Sequence, residues 1–268
     1  MSSIVREKAN RLEVEQKDPL GLWRLPSTDC LNHNTYSMRL LGGGSFTLTI
    51  GQDEASFEVT GVEWPATGCG PVDVCELREN VYFVDIDTNT PSYDGMTVVL
   101  MLNKGWAVVV HQRRIPPKEL WDRGPDVRQD YRVAAILGQD QTGEAPQLTR
   151  DLVGARHFLL CGPQNLYEQI YLNTKCFFGH HVYMTMAKGK AEFHHATYYK
   201  LDDDLYLIGW REMDNAAALI TVEDYKNNQM TGKAFHPISQ ECSVSRPVGG
   251  QIFRFNQKLS YPWDLEPN

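Results

Sequence analysis

Short segments in which apolar and polar residues alternate run through most of the chain, and they constrain its fold more than any other feature. Segments such as 45–50 and 55–62 follow the two-residue period of a β-strand, and glycine, asparagine or aspartate residues separate them. Helical periodicity is weak outside the first 20 residues and the stretch 117–133. The pattern therefore predicts an all-β protein built as an antiparallel barrel or sandwich.

The two halves of the chain resemble each other, which predicts an internal duplication. The first half runs from VDVCELRENVYFVDID through a polar turn into TVVLMLNKGWAVVV, and the second from ATYYKLDDDLYLIGWRE through MDN into AALITVEDYKNNQMTGKAF. The match pairs three positions of each half: Tyr82, Val84 and Ile86 with Tyr206, Ile208 and Trp210. The alternative is that any two β-meanders share such spacing.

A stretch rich in proline, glycine and charged residues, 113–150, separates the two halves. A chain of 268 residues is long enough for two domains, each with its own core. The predicted divisions are an N-terminal arm at 1–30, a first β domain at 31–115, a linker at 116–150, a second β domain at 151–258 and a tail at 259–268.

The charge balance argues against nucleic acid or an anionic membrane as a partner. Lys and Arg number 26 and Asp and Glu 34, a formal net charge of −8 without a basic cluster. The longest apolar runs, near 98–102 and 107–110, are far shorter than the roughly 18–20 residues of a membrane helix. The first 18 residues are charged throughout and lack the apolar core of a signal peptide. The sequence predicts a cytoplasmic protein and leaves a homo-oligomer open.

Several common catalytic motifs are absent from the sequence. GxGxxG, GxxxxGK[ST], HExxH and GxSxG do not occur, which argues against nucleotide-fold enzymes, zincins and serine hydrolases. The six cysteines are scattered without a CxxC pair, as expected of buried, reduced thiols. A bridge between Cys69 and Cys75 is the alternative.

Strand pairing in the second half predicts which side chains face the interior of that domain. A turn at Lys188–Gly189 would place Met184 opposite Phe193, and one face of these strands is more apolar than the other. We take the more apolar face as the interior. The turn at 201–204 would pair Tyr199 with Tyr206 and His195 with Trp210, which adds the matching face of the strands that follow. The predicted interior residues are Cys176, Phe178, His180, Val182, Met184, Phe193, His195, Thr197, Tyr199, Tyr206, Ile208, Trp210, Glu212, Ala216, Ala218, Ile220 and Val222.

The register of the preceding strand stays open between two choices. A three-residue turn at 173–175 would add an inner face of Leu166, Glu168, Ile170 and Leu172, with Glu168 opposite His180. A two-residue turn would place Tyr167, Gln169 and Tyr171 inside instead. The first choice is favoured because three of its four residues are aliphatic.

Two histidine doublets, His180–His181 and His194–His195, are the strongest chemical signal. Consecutive strand residues point to opposite faces, so each doublet sends one imidazole inward. Inside a barrel, imidazole and carboxyl groups titrate near neutrality and suit acid–base catalysis. The predicted catalytic residues are His180, His195, Glu168, Glu212 and Tyr199, and the predicted substrate-binding residues are Trp210, Tyr206, Phe178, Phe193 and Met184. The competing interpretation of each residue alone is a buried side chain bonded to a backbone carbonyl.

A metal site formed by His180, His195 and Glu168 is a less favoured alternative to acid–base catalysis, because no local ligand motif accompanies these residues. We therefore predict neither a metal nor a cofactor.

Several segments resemble the molybdenum cofactor biosynthesis protein F (MoaF) family. DLVGARHFLLCGPQNLYEQIYLN, HHATYYKLDDDLYLIGWRE and MTGKAFH resemble its C-terminal domain, and ENVYFVDID and TVVLMLNKGWAVVV resemble its N-terminal domain. The resemblance spans about 35 to 256 and implies calycin-like, lipocalin-related β-barrels. The predicted fold class is thus all-β, with two calycin-like antiparallel β-barrel domains related by internal duplication. The histidine doublets and the long N-terminal arm depart from the family's usual pattern.

The predicted function is a cofactor-independent isomerase, cyclase or lyase of secondary metabolism, acting on a hydrophobic, oxygenated small molecule. His195 and His180 would serve as base and acid, Glu168 would orient His180, Glu212 would be the second carboxylate, and Tyr199 would bind an enolate oxygen. The alternative is a non-catalytic carrier of a pterin-like or aromatic molecule, linked to molybdenum cofactor biosynthesis. A third interpretation, with the least support, is an interaction module that uses the face of His181, Tyr183 and His194.

Overall fold

The computed structural model describes residues 20–88, 94–115, 127–183, 188–212, 217–239 and 242–255. Within them the chain forms seventeen strands and no helix long and apolar enough to span a membrane. The strands are β1 (Thr35–Leu40), β2 (Ser45–Ile50), β3 (Glu54–Thr60), β4 (Thr67–Arg78), β5 (Val81–Ile86), β6 (Asp94–Met101), β7 (Trp106–Arg114), β8 (Val127–Ile136), β9 (Gln147–Leu148), β10 (Arg156–Gly162), β11 (Asn165–Tyr171), β12 (Cys176–Tyr183), β13 (Ala191–Asp202), β14 (Leu205–Arg211), β15 (Ala218–Asp224), β16 (Gln229–Ser239) and β17 (Cys242–Arg254).

The strands close into two antiparallel barrels, which confirms the predicted fold class. Strands β1 to β8 pair in chain order, and β8 pairs with β1 to close the first barrel. Strands β10 to β17 repeat this arrangement, with β17 beside β10, and β9 adds a short pairing to β13. Each barrel is therefore an up-and-down meander of eight strands.

The interior of the first barrel is a continuous apolar core. Strand β3 alternates strictly between buried and exposed residues, as expected of a strand with one face toward a core. The rings of Phe46 and Phe57 stack inside, with centroids 5.6 Å apart. Other members of this core are Met38, Leu40, Leu48, Ile50, Val84, Ile86, Met96, Val98 and Leu100.

A second apolar cluster lies between the two barrels and covers the outer faces of strands from both. It explains why β5, β6 and β15 are buried along their whole length. Its members are Leu77, Val81, Phe83, Val99, Met101, Val108 and Val110 from the first barrel and Leu201, Leu205, Leu207, Ile220 and Val222 from the second. Burial of these side chains from water holds the barrels together.

A buried ion pair also joins the barrels, between Lys233 of β16 and Asp85 of β5. The Lys233 ammonium donates a second hydrogen bond to the carbonyl oxygen of Met96, at 3.2 Å. The Ser245 hydroxyl donates to the other oxygen of Asp85, at 2.7 Å. Both charged groups thus have the bonded partners that buried charges require.

Both barrels carry one extra residue at the same place, which confirms the predicted duplication. The pairing of β4 with β5 slips at Leu77, and that of β13 with β14 slips at Leu201. Tyr82 pairs with the residue just before Leu77, and Tyr206 pairs with the residue just before Leu201, so the two tyrosines are equivalent, as the sequence match predicted. Such bulges are conserved structural features of a sheet, so the shared position indicates a common architecture.

The first barrel extends beyond its predicted boundary, because β8 lies in the segment predicted as a linker. This strand pairs with both β7 and β1, so the barrel cannot close without it. Its first half contains Arg128, Asp130 and Arg132, which line the barrel mouth rather than the core. This charge made the strand resemble a linker. The boundary at residue 115 was therefore wrong, and β9 also falls inside the predicted linker.

Residues 20–30 of the predicted arm pack against both barrels. Arg24 forms an ion pair with Asp73 of β4, at 2.5 Å, and Gly249 of β17 donates its backbone N–H to the carbonyl of Leu20. None of the five cysteines whose side chains are described forms a disulfide, including Cys69 and Cys75. Residues 1–19 and the predicted tail at 259–268 lie outside the described residues.

Candidate functional site

The interior of the second barrel is lined by the faces of β12 and β13 that were predicted to lie outside. Phe177, Ala196 and Tyr198 belong to its buried core, and His194 is buried beside them. The outer face is the more apolar one, although Phe193 on it is 61% exposed. The predicted interior residues that instead face outward are Cys176, Phe178, His180, Phe193, His195, Thr197 and Tyr199. Val182, also predicted inside, is the extra residue where the pairing of β12 with β11 slips.

One extra residue in β13 explains part of this error. The prediction paired His195 with Trp210, whereas the bulge at Leu201 shifts the register so that Ala196 lies opposite Trp210. Residues opposite each other share a face, so a shift of one position sends His195 and Tyr199 outward while Trp210 stays inside.

The same misassignment affects β15. Leu219 packs in the interior core, and Glu223 is bonded to interior tyrosines. Ile220 and Val222, predicted inside, pack between the barrels. Ala218 lies on their side of the strand, and Ala216 lies outside the described residues.

Glu168 lies opposite His180, as the three-residue turn at 173–175 predicts. Its Oε2 is 3.0 Å from Nδ1 of His180, and its other oxygen accepts a hydrogen bond from Arg156. This cluster nevertheless lies on the outer surface. The residues of β11 that point inward are Tyr167, Gln169 and Tyr171, the set that the other turn had favoured.

Two predicted substrate-binding residues, Tyr206 and Trp210, line the interior as expected. Glu212 follows Trp210 by two positions, and its charge acts on Tyr167 and His181 at the same end of the barrel. The structure thus brings Trp210 and Glu212 together with residues that were not predicted as a site.

The remaining predicted residues lie elsewhere. Tyr199 stacks on Tyr131 of the first barrel, with ring centroids 5.4 Å apart. His195 is exposed, and the rings of Phe178 and Phe193 meet on the outer surface, 5.4 Å apart. Met184 lies outside the described residues.

Two imidazoles and one carboxylate meet inside the second barrel, near the connection from β12 to β13. The Nε2 atoms of His181 and His194 lie 3.9 and 3.7 Å from the same Oε1 of Glu192. Lys190 binds the other oxygen of Glu192, at 2.8 Å. The His194 side chain is fully buried, whereas that of His181 is 17% exposed. His181 is therefore the imidazole that a molecule from solvent would meet first.

Two aromatic donors lie beside these imidazoles. The rings of Tyr167 and Trp210 are parallel, with centroids 5.8 Å apart. The His181 ring lies 4.8 Å from the Tyr167 ring, and the His194 ring lies 4.6 Å from the Trp210 ring. The Tyr167 hydroxyl and the Trp210 indole N–H are buried and have no hydrogen-bond partner among the described residues. Buried donors are normally bonded. These two are therefore candidates to bind an oxygen atom of a ligand.

Glycine at position 179 makes room for the tyrosine. A Cβ atom at Gly179 would lie 1.7 Å from the Tyr167 hydroxyl. Any side chain here would displace Tyr167 from its place beside His181.

Burial sets the protonation of His181 and Tyr167. It lowers the pKa of His181 below the usual 6.5, and the carboxylates of Glu192 and Glu212 oppose this shift. Burial, together with the same carboxylates, raises the pKa of Tyr167 well above 10.0. At neutral pH His181 is therefore a neutral base and Tyr167 a hydrogen-bond donor.

A second polar cluster surrounds Glu223 toward the other end of the barrel. Tyr225 and Tyr171 donate to its Oε2, at 2.6 and 3.2 Å, and the Tyr225 hydroxyl lies 3.0 Å from Nδ1 of His157. Burial raises the pKa of Glu223 to about 7. Burial and the charge of Arg254 lower the pKa of His157 to about 4. The groups of this cluster form hydrogen bonds with one another, whereas the Tyr167 hydroxyl and the Trp210 indole N–H have no hydrogen-bond partner among the described residues.

The metal ligands considered from the sequence do not come together. His195 lies opposite Cys176 and His180 opposite Ala191, four positions apart along β12. Within the described ranges no group of three His, Cys, Asp or Glu side chains is arranged to hold a metal ion.

Sequence reasoning missed His181, His194, Glu192 and Tyr167 as site residues. The histidine doublets did signal that two imidazoles share the interior, because either face of the hairpin carries one from each doublet. The missing information was which face is inside. Two features decide which face points inward: the bulge in β13 and the packing of the first barrel against outer faces of the second.

The second barrel is similar to a known protein family. Residues 146–257 match the family model of the MoaF C-terminal domain. The curated proteins include no significant match to this chain. Among solved structures, the chain is similar to one from Burkholderia vietnamiensis that is provisionally described as a beta-lactamase, with 14% identity and a TM-score of 0.31 over 39% of this chain and 96% of that chain. A likeness of this degree says nothing about activity.

Proposed function

We propose that the second barrel, whose residues 146–257 match the family model of the MoaF C-terminal domain, catalyses acid–base chemistry on a hydrophobic, oxygenated small molecule. Isomerisation, cyclisation and elimination without a cofactor are the reaction classes that two imidazoles and a tyrosine support. The proposal includes calycin-like barrels, a cytoplasmic location and a role in secondary metabolism.

His181 acts as the general base in this proposal. Its imidazole is neutral at pH 7 because burial lowers its pKa, and it is the more exposed of the two histidines at the site. When it takes a proton, Glu192 stabilises the resulting imidazolium from 3.9 Å. His194, on the other side of the same carboxylate, fixes the position of Glu192.

Tyr167 and Trp210 bind the substrate oxygen. Removal of a proton next to a carbonyl places negative charge on its oxygen, and fixed donors aimed at that oxygen lower the barrier. The Trp210 ring and Phe177, 5.3 Å apart, form apolar walls for the body of the molecule. The observation that carries the proposal is this pair of buried donors without partners beside a neutral imidazole.

The experiment that tests the proposal begins with deletion of the gene in its native host and comparison of metabolites by mass spectrometry. A compound that accumulates is then incubated with the purified protein. We expect conversion, with Tyr167→Phe slowing it about 100-fold. Tyr36→Phe, in the first barrel, is the matched control and should convert at the wild-type rate. Equal rates for the wild type and Tyr167→Phe would contradict the role of Tyr167.

A carrier of a pterin-like or aromatic molecule, linked to molybdenum cofactor biosynthesis, is the second candidate. The aromatic lining favours it, since Tyr167, Phe177 and Trp210 pack with ring centroids 5.3 to 5.8 Å apart. In this case a compound co-purifies with the protein and its mass never changes. Tyr167→Phe would then weaken binding by about tenfold or less, as expected for one neutral hydrogen bond.

A further inference from the structure

Three side chains near one end of the second barrel form a continuous hydrogen-bonded row: His157 of β10, Glu223 of β15 and Tyr225 just after β15. The Tyr225 hydroxyl lies 2.6 Å from Oε2 of Glu223 and 3.0 Å from Nδ1 of His157. All three residues are buried. The chemistry proposed above uses none of them, so the row needs its own explanation.

The Tyr225 hydroxyl has one proton for these two neighbours, so it donates to one of them and accepts from the other. When Glu223 is ionised, Tyr225 donates to the carboxylate, and Nδ1–H of His157 donates to the Tyr225 oxygen. When Glu223 is protonated, the carboxyl group donates to Tyr225, and Tyr225 donates to Nδ1 of His157, whose own proton is then on Nε2. The protonation of Glu223 therefore sets the direction of both hydrogen bonds.

Tyr171, the other tyrosine bonded to Glu223, contacts His157 through its ring, with centroids 5.3 Å apart. Its hydroxyl lies 3.2 Å from Oε2 of Glu223 and 2.8 Å from Oε1 of Gln169, so its single proton is shared with a second acceptor. The bond between Tyr225 and Glu223 is shorter than either of these, and short bonds to a carboxylate are the strong ones. The carboxyl proton of Glu223 is therefore directed to Tyr225.

Glu223 changes its protonation in a pH range where His157 stays neutral. Burial raises the pKa of Glu223 to about 7. Burial and the charge of Arg254 lower the pKa of His157 to about 4. Between pH 5 and pH 8 the imidazole therefore carries one proton throughout, and only the nitrogen that holds this proton changes.

The other polar groups of the described residues around this row do not titrate in that range. Strands β12 and β16 contribute apolar side chains. Burial raises the pKa of each neighbouring tyrosine above 10.0, and an arginine keeps its charge. The groups that face Glu223 or His157 from the remaining strands are Tyr171 and Gln169 of β11, Tyr198 of β13, Tyr206 of β14 and Arg254 of β17.

We propose that His157, Tyr225 and Glu223 form a proton relay, in which protonation of Glu223 reverses both hydrogen bonds and moves the imidazole proton of His157 from Nδ1 to Nε2. A proton that binds Nε2 releases the Nδ1 proton to the Tyr225 oxygen, and the Tyr225 hydroxyl proton passes to Oε2 of Glu223. Each transfer breaks one bond to hydrogen and forms another. One proton enters at the imidazole, one reaches the carboxyl group, and His157 is neutral before and after.

The relay leads from the end of the barrel into its interior. His157 lies opposite Arg254, whose side chain is 41% exposed. At the other end of the row, Glu223 is 0% exposed. The row thus gives a fully buried carboxyl group a route for proton exchange, and this route does not depend on the role proposed for His181.

The test is a pH titration of the full chain by NMR, with 15N in the histidines and 13C in the glutamate carboxyl groups. The nitrogen shifts report which imidazole nitrogen carries the proton, and the signals missing from His157→Gln and Glu223→Gln assign the two residues. We expect His157 to carry its proton on Nε2 at pH 5 and on Nδ1 at pH 8, with the change near pH 7, where Glu223 titrates. A His157 that keeps one tautomer while Glu223 titrates would overturn the proposal, as would a Glu223 that does not titrate in this range.

Two tyrosine variants separate the relay from a general effect of the Glu223 charge. Tyr225→Phe removes the hydroxyl between the two groups, so the tautomer of His157 should no longer change as Glu223 titrates. Tyr171→Phe is the matched control. The change should persist in it, with a midpoint at higher pH, because the bond from Tyr171 lowers the pKa of Glu223. Persistence of the change in Tyr225→Phe, or its loss in Tyr171→Phe with an unchanged Tm, would disprove the assignment.

Discussion

His180 and His181 are adjacent in β12, yet their imidazoles lie on opposite sides of the barrel wall. Nδ1 of His180 is 3.0 Å from Oε2 of Glu168 on the outer surface. Nε2 of His181 is 3.9 Å from Oε1 of Glu192 inside. The two residues share a type and a strand, so they form a matched pair for mutagenesis.

Replacement of His181 should abolish most of the activity, and replacement of His180 should not. His181→Gln removes the proposed base and is expected to lower kcat/KM about 10²–10⁴-fold. His180→Gln removes a surface contact to Glu168 and should change it less than about threefold. The assay is conversion of the compound identified by metabolite comparison, with Tm measured for both variants. Equal losses in two folded variants would show that the inner face is not the site.

The activity should fall on the acid side of neutrality, because only neutral His181 can accept a proton. Burial holds the pKa of His181 below 6.5, and the Glu212 carboxylate raises it in part. Glu212→Gln removes that opposing charge, so the pKa of His181 falls further. The acid limb of the kcat/KM profile should therefore move to lower pH in this variant. A shift to higher pH would contradict the charge relationship between the two residues.

Glu223 should make the protein less stable as the pH rises. Burial raises its folded-state pKa from 4.5 to about 7, so its stabilising effect is complete below pH 4.5 and is lost as the pH approaches 7. Gln keeps an acceptor for the two tyrosine hydroxyls but does not titrate. From pH 5 to pH 8 the free energy of unfolding of the wild type, relative to Glu223→Gln, should fall by roughly 2–3 kcal/mol. Urea unfolding at both pH values measures this, and a constant difference would show that Glu223 does not titrate there.

Lys233 should matter to stability far more than an exposed lysine does. Lys233→Met leaves Asp85 as a buried charge without its lysine, and we expect a loss of about 3–5 kcal/mol. Lys104→Met breaks the partly exposed pair with Asp202 and should cost about 1 kcal/mol or less. Urea unfolding of the two variants gives the comparison. Similar losses would mean that the barrel interface does not depend on the buried pair.

Features that depend on short-range pattern could be predicted from the sequence. The alternation in β3 and the pairing of Glu168 with His180 both follow from residues close together in the chain. The two-residue period fixes them without knowledge of the rest of the fold.

The inner face of β12 and β13 could not be predicted, because it depends on contacts made by distant parts of the chain. The rule that the more apolar face is inside fails when the outer face is also covered, as it is for Ile220 and Val222 between the barrels. It fails again where the interior is polar, as at His181 and His194. A bulge of one residue at Leu201 leaves no clear mark in the sequence, yet it changes which residues of β13 share a face with Trp210 of β14.

The barrels meet through the same face of each repeat, and this has a consequence for how their interiors can differ. Phe83 and Leu207 occupy matching positions after the bulge and pack in one cluster, so equivalent positions of the two repeats contribute to the interface, as they do in a symmetric homodimer. In a true homodimer every substitution appears twice. In this chain each substitution appears once, so the two repeats can differ at matching positions. Tyr82 pairs with Leu100, whereas the matching Tyr206 pairs with Glu223. One repeat keeps an apolar interior that supports folding, while the other carries buried polar groups in its interior.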